Sequence, residues 1–174
     1  MDFARRVFLA IRSGFSYEYR LGMDWRASAV AQARKSDCGG LSILFVSIMR
    51  ANGIPARTLY GRWAASARPA DQLSGAPYYQ THVKAEFFGN GVGWVPVDVA
   101  SAILHDRSRE GLRYFGQDAG DFLTFHVDPN LLLDTGLFGM QPLHNLQTPA
   151  WWLRGSGTLE PRSTSEDWQV RPLK

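Results

Sequence analysis

The chain has 174 residues, of which 45% are hydrophobic and 13% aromatic, with a formal charge of +3 and one cysteine. A chain of about 150 residues or more hides roughly 70% of its unfolded surface, so one buried core is attainable and general disorder is excluded. Scattered Arg residues without a block of like charge exclude a nucleic-acid stripe, one cysteine excludes an internal disulfide or a multi-cysteine metal centre, and no apolar run reaches the ~18 residues of a membrane span.

In chain order, Asp2 to Ser13 reads as a helix with Phe3, Val7 and Ile11 on its apolar face, widened by Phe8. Gly14 to Met23 carries Phe15, Tyr17 and Tyr19 at period two and reads as extended. Asp24 is the expected N-cap of a second helix, Trp25 to about Lys35. A third helix opens at Ser36-Asp37, either of which suits an N-cap. Leu41, Leu44, Phe45 and Ile48 form one face, and Ile43, Val46 and Met49 cover most of the rest. A helix apolar nearly all round is a buried one. Gly53 and Pro55 mark its end, and Arg57 to Trp63 follows as a strand.

Ala64 to Pro77 has no periodicity and reads as a mobile surface loop flanking the site. Tyr78 to Phe88 and Val92 to Val99 read as two strands joined by Gly89-Asn90-Gly91. Ser101 to Tyr114 is polar and suits a short helix after a loop. Asp121 to Asp128 alternates as a strand and ends in the turn Asp128-Pro129-Asn130. Beyond it, Leu131 to Leu133 and Trp151 to Leu153 suggest short strands among loops rather than a second domain. The expectation is one domain over residues 1–174.

The chemistry converges on Cys38, in the first turn of the buried helix. A helix N-terminus favours the thiolate, and first-turn N–H groups can hold an oxyanion. Gly39 and Gly40 would let a substrate backbone approach the sulfur. Asp37 would oppose the thiolate if it faced the sulfur. A small buried hydrophobe is the alternative reading of a lone cysteine. A catalytic thiol needs a base. With Asn90 as the hairpin centre, paired positions sum to 180, which sets His82 opposite Asp98. A carboxylate there can fix the imidazole tautomer, with Asp98 on Nδ1 and Nε2 turned to the thiol. A register slip of two keeps both on one face; a slip of one separates them. His126 could meet Asp128, but turn-capping explains Asp128 more simply. His105 and His144 have no evident partner, and no His spacing points to a metal.

These residues resemble the transglutaminase-like superfamily, a branch of the papain-like cysteine fold. The carrying segments are Asp37-Cys38-Gly39-Gly40-Leu41, Arg50-Ala51-Asn52-Gly53-Ile54-Pro55-Ala56-Arg57, Thr81-His82-Val83 and Gly93-Trp94-Val95-Pro96-Val97-Asp98. The resemblance covers residues 15 to 99 well and the C-terminal part only in texture. Ser36 and the pair Val99-Ala100 depart from the family pattern, where Gly precedes the Cys by two and Pro-Thr follows the Asp. The resemblance implies an α+β fold with the Cys helix packed on an antiparallel sheet. It implies acyl transfer through a thioester, with Cys38 as nucleophile, His82 as proton carrier and Asp98 as its orienter. Gln32, six residues before Cys38, is a weak candidate for a second oxyanion donor by analogy. A cysteine peptidase or amidase is the leading expectation. A cross-linking acyltransferase and a binding module that keeps the fold without turnover are the alternatives. No cofactor or metal is expected; the expected partner is a protein or peptide substrate, with no nucleic acid and no membrane. The chain shows no signal-peptide pattern, and the reading leaves its compartment open and allows it to be a domain of a larger protein.

Overall fold

A computed structural model describes residues 1–63, 72–73, 76–77, 81–148 and 150–158. Helix α1 (Asp2–Gly14) buries Ala4, Phe8 and Ile11, with Phe3 and Val7 partly buried beside them. The buried stripe is thus rotated from the expected one toward Phe8, whose ring meets Phe115 at 5.3 Å. Strand β1 (Ser16–Tyr17) runs parallel to β2 (Lys35–Ser36), and between them lies α2 (Ala27–Ala33).

Helix α2 starts later than its sequence suggests. The Asp24 carboxylate accepts from the Arg26 N–H at 2.9 Å and grips its guanidinium, which keeps Arg26 non-helical. Such local side-chain bonds compete with helix formation. Arg34 ends the helix in the left-handed conformation, φ 52°.

Helix α3 (Cys38–Ala51) begins at the cysteine, capped by Asp37, whose carboxylate accepts from the Gly40 N–H at 3.1 Å. Leu41, Leu44, Phe45, Val46 and Met49 are buried, and Phe45 packs on Phe87 with ring centroids 6.2 Å apart. Each such side chain contributes roughly 1.5–3 kcal/mol by leaving water.

Strand β3 (Ala56–Trp63) leads to the short pair β4 (Gln72–Leu73) and β5 (Ala76–Pro77), which run antiparallel. The rest of the expected loop from Ala64 to Pro77 lies outside the described residues. Then come β6 (Thr81–Gly89), β7 (Gly93–Val97), α4 (Val99–His105) and β8 (Phe122–Val127). The four long strands form one antiparallel sheet in the order β7-β6-β3-β8. Helix α3 packs on β6 through Ala85 and Phe87, so the molecule is α+β as the sequence implied. A separate hairpin joins β9 (Leu131–Asp134) to β10 (Met140–Leu143), while Trp151 to Leu153 form no strand.

Two differences bear on the site. The β6–β7 turn centres on Gly91, φ 76°, and Gly89 pairs with Gly93, so partners sum to 182 rather than 180. Helix α4 starts directly after Asp98 without the expected loop. Asp98 is its N-cap, accepting from the Ser101 N–H at 2.9 Å. Among the described residues, no helix is long and apolar enough to cross a membrane.

Candidate active site

The register shift moves His82 and Asp98 from direct to diagonal neighbours, about 7–8 Å apart in backbone terms. They remain on one side, and their side chains close the gap: His82 Nε2 lies 2.7 Å from Asp98 Oδ2. Both residues are buried, with 1% and 5% of their surface exposed. The diagonal placement reverses the expected use of the ring. Asp98, lying past the strand end, reaches the distal nitrogen, and Nδ1 is left for the thiol side. Cys38, half-buried at the start of α3, lies close enough for its side chain and charge to act on the His82 ring. The structure thus pairs His82 with Asp98 directly and sets Cys38 on their side of the helix start.

Electrostatics bind the group together. Burial alone would push the His82 pKa down. Attraction to the Asp98 carboxylate and the bonds to Asp98 and Cys38 outweigh it and hold the imidazole well above its ordinary value. Burial likewise opposes the Asp98 charge, but His82 and the two Ser101 donors draw its pKa below the usual carboxylate range. Ser101 adds its hydroxyl to Asp98 Oδ2 at 2.7 Å. An Asp directly before the run Val99-Ala100 is an N-cap signal legible in the sequence. Read as the end of a strand, Asp98 concealed it.

Above Cys38 the space expected for substrate is partly filled by the protein itself. A Cβ on Gly39 would lie 2.8 Å from the Trp25 ring, and one on Gly40 would lie 2.1 Å from Ser36 Oγ. These glycines admit internal packing rather than a substrate backbone. The Trp25 ring meets that of His144 at 5.2 Å. Burial raises the Asp37 pKa against its hydrogen bonds from Gly40, Trp25 and Gly39. Asp37 is thus engaged in capping and takes the Gly39 and Gly40 N–H groups. The Cys38 N–H is the first-turn donor outside that cap. Gln32 lies exposed on α2 and does not line the cleft.

A cleft of about 910 Å³ has Cys38 in its lining. The segment before α2 contributes Tyr19, Leu21 and Trp25; the C-terminal part contributes Asn130, His144 and Gln147. Gln147 donates to the His82 carbonyl at 2.8 Å. Its position, 65 residues from His82, left no signal in the sequence. His144 is likewise partnered, by Asn130 Oδ1 at 3.0 Å as well as by Trp25. His126 bonds the Asp128 backbone oxygen at 2.9 Å, while the Asp128 carboxylate accepts from the Thr58 N–H and from Arg50, so it ties the turn to β3 and α3 rather than capping the turn itself. Among the described residues, no group of three or more His, Cys, Asp or Glu is placed to hold a metal ion.

The family model of the transglutaminase-like superfamily matches residues 1–99. An uncharacterized protein of Haemophilus influenzae is 33% identical over 78 residues, covering 38% of this chain and 21% of its own length. A solved structure from Cytophaga hutchinsonii, described as a candidate cysteine protease, is 18% identical with a TM-score of 0.44, covering 86% of this chain and 47% of that one. The chain therefore spans about a fifth of the one relative and about half of the other.

Proposed function

Since the chain belongs to the transglutaminase-like superfamily, we propose that it is a thiol-dependent acyl-transfer enzyme that hydrolyses peptide or carboxamide bonds, with Cys38, His82 and Asp98 as its catalytic group. One observation carries the reading: a buried imidazole tied to Asp98 at 2.7 Å stands within electrostatic reach of a helix-start thiol that lines an open cleft.

With its proton passed to His82 Nδ1, the Cys38 sulfur attacks the substrate carbonyl carbon, and the carbonyl electron pair moves onto oxygen. The Cys38 N–H faces that oxyanion, strengthened by the α3 dipole. The intermediate collapses with cleavage of the C–N bond. The leaving nitrogen takes its proton from His82 Nδ1, and a thioester remains. His82 then removes a proton from water, whose oxygen attacks the thioester carbon. Expulsion of the thiolate releases a carboxylic acid. Asp98 holds the Nε2–H throughout and stabilises the imidazolium. Cys38 is half-buried and lines the cleft, so water reaches the thioester and completes the hydrolysis.

The test is intact mass after incubation with a carboxamide and peptide library, with and without a primary amine. Cleaved acid product, absent in Cys38→Ala, supports the reading. An amine adduct would replace it with cross-linking, and no turnover on any substrate would favour a binding module.

A further inference from the structure

A second buried ion pair lies beside the first, and nothing in the reaction above uses it. Lys84 is two residues beyond His82 on the same side of β6, and its side chain is only 5% exposed. Its ammonium bonds the Asp118 carboxylate. Continuing the β6–β7 register sets Lys84 opposite Asp98. The Lys84 Nζ lies 4.4 Å from the Phe122 ring centroid and 5.4 Å from that of Trp63. The same two rings pack on His82, Trp63 stacked at 5.3 Å and Phe122 edge-on at 6.2 Å. Asp118 is also close enough to Asp98 to feel its charge. Burying a lysine is costly unless it is paired, and this one is buried against the cage of the imidazole.

We propose that Lys84, anchored by Asp118, is a positioning residue for His82 and Asp98: it fixes the aromatic cage around the imidazole and offsets the negative charge gathered beside it. The inference rests on the proposed Cys38–His82–Asp98 chemistry and adds the balance of charge that sets its working pH. The ionisable groups on the elements around His82 are Cys38 and Asp37 on α3, Tyr60 and Arg62 on β3, Asp98 before α4, Asp118 and Asp121 before β8, and His126 on β8. Glu86, also on β6, is paired with Arg57.

The charge role has a signature that packing alone lacks. Lys84→Met leaves Asp118 as an extra anion, which disfavours the thiolate and favours the imidazolium, so both titrations of the coupled pair move to higher pH. Asp118→Asn leaves an extra cation and moves both to lower pH. The double variant returns toward wild type. The readout is the rate of Cys38 alkylation by iodoacetamide against pH, which needs no substrate. Shifts of about one pH unit in opposite directions are expected for the single variants, with Lys84→Arg close to wild type. Should Lys84→Met fail to fold, the shift in Asp118→Asn, at a residue only partly buried, decides. Unchanged profiles, or shifts in the same direction, would overturn the charge role. If wild type and His82→Gln give identical profiles, the thiol–imidazole reading itself fails, and this inference with it.

Discussion

Gln147 donates from its carboxamide to the backbone carbonyl of His82 at 2.8 Å, and to that of Gly61 at 3.3 Å. One side chain from beyond β10 therefore staples β3 and β6 at the position of the imidazole. A backbone staple holds the ring's pivot without touching its nitrogens. Gln147→Ala removes about 1 kcal/mol of hydrogen bonding. It is expected to lower kcat by about fivefold to tenfold, with a melting temperature lower by only a few degrees. A kcat equal to wild type would show that the pivot is fixed without it.

Asp98 has two tasks, orienting His82 and capping α4, and they can be separated. Asp98→Asn keeps a capping oxygen for the Ser101 N–H but offers His82 an amide. A loss of about three to four orders in kcat is expected, with α4 retained in circular dichroism. Ser101→Ala removes only the hydroxyl bond to Oδ2 and should cost about tenfold or less. If Ser101→Ala proved as damaging as Asp98→Asn, the orienting role of the carboxylate would be lost.

The His82–Asp98 pair should leave a pH signature on stability. The His82 pKa is raised above its ordinary 6.5, so its contribution is complete below that pH and fades as pH rises through the elevated value. The Asp98 pKa is lowered below 3.8, so its contribution is complete above that pH and fades as pH falls through the depressed value. The destabilisation caused by Asp98→Asn should therefore be greatest between pH 3.8 and 6.5 and shrink toward alkaline pH. Melting temperatures of both proteins from that range up to about pH 10 check it; a gap that widens as pH rises would contradict it.

Gly40 and Ser36 are a packing pair. A Cβ at Gly40 would lie 2.1 Å from Ser36 Oγ and 2.9 Å from its Cβ, so Gly40→Ala should cost about 1–3 kcal/mol. The double variant Gly40→Ala, Ser36→Gly removes the clash and should recover part of that loss. Gly39→Ala should instead displace the Trp25 ring, visible as a change in indole fluorescence. Equal stability of single and double variants in denaturant melts would show that the contact is not limiting.

Local physics made much of this protein readable from the sequence alone. The apolar periodicity of Leu41 to Met49 marked a buried helix, and Ser36-Asp37 marked its start to within a residue; the structure chose Asp37 as the cap. The glycine-rich turn at 89–93 joined two strands of opposite direction, so His82 and Asp98 had to fall close together on any even register. Tertiary structure decided the rest, because it depends on contacts that no local pattern carries. Positive φ at Gly91 moved the register by two. Asp98 left the strand to cap α4, and that placement chose which imidazole nitrogen it holds. Trp25 left the expected helix because Asp24 bonded Arg26 and because the surface of Gly39 could receive its ring. Gln147 and Asp118 reach the site from segments with no periodicity of their own, and only the closing of the chain around β6 places one on the His82 carbonyl and the other on Lys84.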